Sequence, residues 1–172
     1  ALPANPNQNL SFNEEQLQEI VVAGGCFWGV DAYMARLYGV ARTESAYANG
    51  HTENPTYPEV CTGQTGYAEV VKVTYDPARI GLTALLMQFF SIIDPTQHGR
   101  QAGDIGDQYR NGIYYMNDAD LETIHKVMDE VAGQYTKPLA TEVAPLGRYY
   151  PAETYHQDYL DKNPNGYCHV SF

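Results

Sequence analysis

From Ile20 to Met116 the hydrophobic spacing switches repeatedly between strand and helix periods, and the order of the switches restricts the fold more than any other feature. Ile20 to Ala23 read as a short buried strand, broken by Gly24 and Gly25. Phe27 to Leu37 read as a helix with Val30, Met34 and Leu37 on one side, closed by Gly39 where glycine commonly ends helices. "RTESAYA" (42–48) reads as a strand, and "YAEVVKVTYD" (67–76) as another by its alternation. "TALLMQFFSII" (83–93) is a buried helix ending at Asp94-Pro95, and "NGIYYM" (111–116) is a further strand.

The resulting order, β-α-β-β-α-β, is the split βαβ arrangement of ferredoxin-like folds. After it, Asn117 or Asp118 is placed to cap a helix whose Leu121, Ile124, Val127, Met128 and Val131 share one face. A strand over 140–144, a short helix around 152–162 and an irregular tail, "NPNGYCHVSF", follow. Two polar segments, 49–66 and 94–110, interrupt the pattern with Asn-Gly, Asn-Pro and Tyr-Pro pairs and glycines, which mark loops. Structureless segments of that length in a compact domain usually carry function. There is no internal repeat and no second-domain boundary, and 172 residues suffice for one core.

A formal charge of −11 argues against nucleic acid and anionic membranes as partners. No run of 18 apolar residues encodes a membrane span. "ALPANPNQNL" lacks the basic and apolar regions of a signal peptide and reads as a polar tail. The three cysteines, Cys26, Cys61 and Cys168, are odd in number and widely spaced, which fits no static disulfide framework; no pairing with cysteine or histidine marks a zinc site. No metal or bound cofactor is expected.

Cys26 departs from the plain reading of a lone cysteine as a small buried hydrophobe. It stands at the strand-to-helix junction, after Gly24 and Gly25 and before Phe27, Trp28 and Gly29. Helix N-termini carry partial positive charge and unpaired N–H groups, so a thiolate there is stabilised, with a pKa that can fall to roughly 3.5–7.5. The glycines let backbone amides approach whatever the sulfur binds and suit an exposed thiol. Phe27 and Trp28 read either as core aromatics or as an apolar collar for a ligand with a small apolar group. In the strand 67–75, Glu69 shares a face with Val71, Val73 and Tyr75. An apolar face disfavours the charged carboxylate and raises its pKa, making Glu69 a candidate proton donor; the competing reading is an end-of-strand Glu reaching solvent.

A thiol and a raised carboxyl suit acyl transfer or reduction. Acyl transfer wants a histidine base, and nothing in the sequence pairs any of the five histidines with Cys26. Reduction of an S=O or O–O bond wants a thiolate, a proton donor and a second thiol to clear the sulfenic acid. Cys168, in the glycine-containing tail, can supply that thiol, so the redox reading has more of its parts.

Five stretches, "GGCFWG" (24–29), "NPTYPEV" (54–60), "TGYAEVVKVTYDP" (65–77), "QAGDIGDQYRNGIYY" (101–115) and "YHQDYLDKNPNGYCHV" (155–170), resemble the peptide methionine sulfoxide reductase A family in order and spacing. The resemblance implies an α/β two-layer sandwich with a ferredoxin-like βαββαβ core and long active-site loops, with residues 19–172 as the catalytic domain and 1–18 as tail or linker. It implies that Cys26 attacks the sulfoxide sulfur and that Glu69 protonates the oxygen with help from Tyr57 and Tyr109. By the same resemblance Asp104 orients the polar side of the pocket, Phe27 and Trp28 hold the S-methyl group, and the S epimer is the substrate, free or in oxidised proteins. Cys168 would resolve the Cys26 sulfenic acid as a disulfide that thioredoxin, or dithiothreitol in vitro, reduces. A monomer is expected, in the cytoplasm, or in the periplasm or cell envelope if the tail follows a removed signal or fusion segment.

Two departures accompany it. Many members have His where Tyr67 stands, which could alter Glu69's partners, and many carry a further cysteine after Cys168, where this chain has four more residues. "GYCHV" also resembles the junction in fusions to a reductase for the other epimer. An idle sulfoxide-binding or redox-sensing module and a thiol peroxidase remain rivals, although a peroxide would not require the aromatic collar. Cys61 reads as a bystander.

Overall fold

In this computed structural model, which describes residues 2–172, the expected alternation forms one six-stranded sheet with helices packed on it. β1 (Gln18–Gly24) leads into α1 (Phe27–Ala35), and β2 (Val40–Ala48) follows. The first long loop contains one short helix, α2 (Tyr57–Cys61), before β3 (Ala68–Tyr75) and α3 (Leu82–Phe90). The second holds a two-residue-per-strand hairpin, β4 (Arg100–Gln101) and β5 (Asp104–Ile105), and leads to β6 (Asn111–Tyr115) and α4 (Leu121–Ala132). β7 (Glu142–Pro145), β8 (Tyr149–Pro151) and α5 (Tyr159–Lys162) complete the elements.

The sheet order is β7-β6-β1-β3-β2-β8. β1 pairs antiparallel with both β3 and β6, and β2 pairs antiparallel with β3. Both helical crossovers, β1-α1-β2 and β3-α3-β6, therefore skip a strand, the ferredoxin-like order that the sequence pattern predicts. β7 joins β6 in parallel, and β8 joins β2.

Ile20 and Val22 of β1, Val71 and Val73 of β3 and Ile113 of β6 form the helix-facing side, in register as Val22 with Val71 and Ile113 and as Ile20 with Val73. Against them lie Val30 and Met34 of α1, Leu85 and Phe89 of α3, and Ile124, Val127 and Val131 of α4. Each fully buried aliphatic or Phe side chain stabilises by about 1.5–3 kcal/mol. A smaller cluster, Val21, Ala23, Ala46, Ala48, Ala68, Val70 and Tyr114, buries part of the other face beneath Leu146 and Tyr149. β1 thus reads as a continuous apolar run rather than an alternating one.

Several expectations are corrected. The segment read as a polar tail or linker packs on the domain: Asn7 is buried at the end of α1, donating through Nδ2 to the Ala35 and Leu37 carbonyls (3.0 and 2.7 Å) and accepting Gly39 N–H at Oδ1 (2.8 Å). Arg36 donates to Pro3 O (2.7 Å) and Arg79 to Ser11 O (2.9 Å), fastening the same segment. The helix expected over 152–162 is interrupted, because Asp158 adopts φ 52, ψ 37; only a 3-10 turn (Thr154–His156) and α5 form. The helix expected over 83–93 spans Leu82–Phe90, and Asn117 caps a 3-10 turn that precedes α4.

Candidate active site

The junction of β1 and α1 is built around a backbone that only glycine adopts easily. Gly25 has φ +90, and a Cβ there would stand 2.7 Å from Gln101 Cβ and 3.0 Å from His169 Nε2. Cys26 follows as the N-cap residue of α1. On the adjoining strand Glu69 is 1% exposed, and its Oε1 accepts the Phe27 N–H at 3.1 Å. Its Oε2 has no hydrogen-bond partner among the described residues.

The thiol does not match its sequence expectation. Cys26 is buried, at 7% exposure, and burial, followed by the Glu69 charge, pushes the thiol well above the usual cysteine range. The Trp28 N–H opposes the shift. A helix terminus contributes about 0.3–1 kcal/mol to an anion, whereas desolvation of a buried charge is worth several kcal/mol, so burial wins. Burial likewise raises Glu69 to about 8, with the Phe27 N–H opposing and the Asp104 charge adding. Both protons are therefore held at neutral pH, and the expectation of a raised carboxyl agrees with the structure.

The long loops deliver the remaining groups. Tyr57 opens α2, whose N-terminus is fixed by a Thr56–Glu59 capping box and by Glu153, which accepts Tyr57 N–H at 2.9 Å and the Tyr47 hydroxyl at 2.7 Å. Tyr109 ends the 3-10 turn at Asp107–Tyr109. Burial is the largest influence raising both phenols, and the charge of Glu69 acts on each. Asp104 sits on the β4–β5 hairpin, accepts the Tyr167 hydroxyl at 2.9 Å, and acts electrostatically on Cys26, Glu69 and Tyr109. Tyr67 does not compete for Glu69; its hydroxyl donates to the Thr52 carbonyl.

Cys168 lies beside the junction. A Cβ on Gly29 would be 3.0 Å from Cys168 Sγ, so this glycine leaves room for the tail over α1. His169 donates from Nε2 to Gly24 O at 2.8 Å, holding the tail there. Cys26, Cys61 and Cys168 are free thiols.

A family model described as peptide methionine sulfoxide reductase matches residues 18–172. The chain belongs to this family. The peptide methionine sulfoxide reductase MsrA of Clostridium perfringens (strain 13 / Type A) is 53% identical over 154 residues, covering 90% of this chain and 98% of that protein. The MsrA of Alkaliphilus metalliredigens is 54% identical over 155 residues, with the same two coverages, 90% and 98%. Among solved structures, Mxr1 from Saccharomyces cerevisiae in reduced form superposes with a TM-score of 0.87 at 37% identity, covering 96% of this chain and 97% of Mxr1. Mxr1 in an unusual oxidised form gives 0.68, and Mxr1 in complex with Trx2 gives 0.61 at 25% identity.

The reductase site also contains residues that the sequence reading passed over. His156 is fully buried; its ring lies 5.0 Å from Phe27, 4.3 Å from Tyr57 and 4.0 Å from Tyr155. Its Nδ1 accepts the Trp28 indole N–H at 2.9 Å, which places any ring proton on Nε2, and burial lowers its pKa. Phe27, at 1% exposure, is a core residue, whereas Trp28 is half-buried. Phe27 thus fits the core reading, and Trp28 packs at the edge of the core against His156 and Tyr159.

Among the described residues, no group of acidic, cysteine and histidine side chains could hold a metal ion, and no helix is long and apolar enough to cross a membrane.

Proposed function

We propose that this chain reduces methionine S-sulfoxide, free or in oxidised proteins, with Cys26 as nucleophile and Glu69 as proton donor. The observation that carries the reading is the Phe27 N–H bond to Glu69 Oε1, which leaves a protonated carboxyl with its second oxygen unpartnered beside the thiol. As the sulfoxide oxygen takes the Glu69 proton, the sulfur becomes more positive, which favours the thiolate opposite it. Cys26 sulfur bonds to the substrate sulfur, the oxygen passes to Cys26, and methionine leaves with two more electrons. Glu69 regains a proton from the thiol, so the step Cys–SH plus sulfoxide gives Cys–SOH plus sulfide without net proton change.

The phenols of Tyr57 and Tyr109, held protonated by burial, are further donors to the oxygen, and Asp104 orients this polar side. Trp28 is the wall for the S-methyl group, with Phe27 behind it. Cys168 then attacks the Cys26 sulfenic acid, releasing water and forming a disulfide that a thioredoxin reduces. The yeast relative solved with Trx2 supports that partner. The S epimer is what the resemblance to the A family implies, since each epimer has its own enzyme class.

Incubation with dithiothreitol and each pure epimer tests the reading. Methionine is expected from the S-sulfoxide alone. Comparable turnover of the R-sulfoxide, or of hydrogen peroxide in place of either, would refute it.

A further inference from the structure

Trp28 is the chain's one tryptophan, and both groups that fix its indole come from a single short segment. Tyr159 lies flat on it, with centroids 3.8 Å apart and 11° between planes, and His156 Nδ1 takes the indole N–H. Between these two residues the chain turns at Asp158, at φ 52. A non-glycine residue in the left-handed region costs on the order of 1–3 kcal/mol unless its surroundings hold it there.

Two side chains do so. Gln157 accepts Ser45 N–H at 2.8 Å and donates to the Ser45 and Ala152 carbonyls at 2.8 and 3.1 Å, docking the segment on β2. Asp31, three residues after Trp28 on α1, accepts the Asp158 N–H at 3.0 Å through Oδ2 and the Thr43 hydroxyl through Oδ1. Asp31 is 1% exposed and forms no ion pair among the described residues. Burial pushes its carboxyl up to about 6, with Thr43 opposing. A buried carboxyl without a cation is expensive for folding alone, and an apolar side chain would fill the same place at less cost.

We propose that Asp31 is a positioning residue of the reaction: its carboxyl holds the elbow at Asp158, seats His156 and Tyr159 against Trp28, and thereby sets the wall that the substrate methyl meets. The inference rests on the reading of Trp28 as that wall. Hydrogen-bond acceptance, rather than charge, is the property that matters. An asparagine can keep it, with its carbonyl toward Asp158 N–H and its amide toward the Thr43 oxygen.

The single tryptophan makes the test direct. In Asp31→Ala, tryptophan emission should shift to the red and KM for methionine S-sulfoxide should rise about tenfold, the size expected for a loosened apolar pocket. The rate of one turnover at saturating substrate should stay within about threefold. Asp31→Asn should restore emission and KM. Because Asp31→Ala can also unfold the protein, Tyr159→Ser is the second arm: it removes the stacked ring from a half-buried position and should give the same red shift and KM rise. Emission needs no substrate, so it reads indole placement separately from turnover. A folded Asp31→Ala with wild-type emission and KM overturns the inference, as does an asparagine variant as impaired as the alanine one. If Asp31→Ala does not fold, unchanged emission or KM in Tyr159→Ser overturns it. A red shift with unchanged KM instead removes Trp28 from its assigned wall, and the inference falls with that reading.

Discussion

The backbone N–H of Phe27 donates to Glu69 Oε1 across 3.1 Å, tying the residue after the thiol to a buried carboxyl 42 positions along the chain. This bond orients the acid, and burial keeps it protonated at neutral pH. Glu69→Gln keeps the acceptor for Phe27 N–H but has no proton to give. The expected loss is roughly 10²-fold or more in the rate of methionine formation, the usual size of general-acid catalysis. Tyr57→Phe and Tyr109→Phe should each cost less, since either phenol remains when the other is gone. If both phenol variants are slower than Glu69→Gln, the main donor has been misassigned.

Cys26→Ser should abolish reduction with the fold intact, because an alcohol neither ionises near neutral pH nor carries the oxygen as a sulfenic acid. Steady-state assay with dithiothreitol measures it. Activity within about tenfold of wild type would remove Cys26 from the nucleophile role, since general-base or general-acid help alone accounts for no more than about 10²–10⁴-fold.

The raised pKa of Glu69 also predicts a stability cost. Its ordinary value near 4.5 is raised to about 8 in the fold, so between these values the folded state binds more protons than the unfolded state. Stability must then fall as pH rises through that window, and level off above it. Glu69→Gln has no such group. It should gain on wild type as pH rises from 5 to 8, by an amount on the order of 3 kcal/mol. Urea unfolding of both proteins at the two ends decides the matter, and a constant difference would contradict the buried, protonated acid.

The sheet and its helices were legible because their cause is local: period-2 and period-3.6 spacing shows which faces are buried without knowledge of partners. Cys26 and Glu69 were legible for related reasons, a cysteine at a glycine-marked junction and a carboxyl on an apolar face. The raised thiol was not. A helix start is visible in a sequence, whereas the groups around the buried Cys26, among them Glu69, Asp104 and Cys168, come from remote parts of the chain. His156 was missed likewise, since its indole partner is 128 positions distant. The bend at Asp158 is bonded to a similarly remote residue, Asp31. The capping box at Thr56–Glu59, by contrast, is a local signal that marks α2 and was overlooked.

Asn7 supplies a prediction about the segment before the shared domain. Helix C-termini leave carbonyls without intrahelical partners, and the Asn7 amide bonds Ala35 O at the end of α1 and Leu37 O just beyond it. Asn7→Ala removes the partner of Ala35 O and of the buried Gly39 N–H, while Leu37 O keeps the Val40 N–H. The expected cost is about 1–3 kcal/mol in denaturant unfolding, with KM unchanged because the contacts lie at the far end of α1 from Cys26. A loss below about 0.5 kcal/mol would mean that the segment rests on the domain without supporting it.

Cys168 must capture the sulfenic acid before it oxidises further, and its place over Gly29 beside the Cys26 junction suits that task. The segment after Lys162 has no regular structure; Cys168 itself donates to Val170 O, at 3.4 Å, and the tail is held by the His169 bond to Gly24 O and the Tyr167 bond to Asp104. Segments with so few bonds open at low free-energy cost, so the thiol can close on Cys26 and then present the disulfide to a reductant. Cys61, exposed at the end of α2, is the alternative partner. Cys168→Ser should therefore yield one equivalent of methionine in a single turnover, accumulate sulfenic acid on Cys26, and stall when thioredoxin is the only reductant. In the oxidised wild type, proteolysis and mass spectrometry should find Cys26 joined to Cys168. A dominant Cys26–Cys61 bridge, with thioredoxin turnover intact in Cys168→Ser, would transfer the resolving role to Cys61.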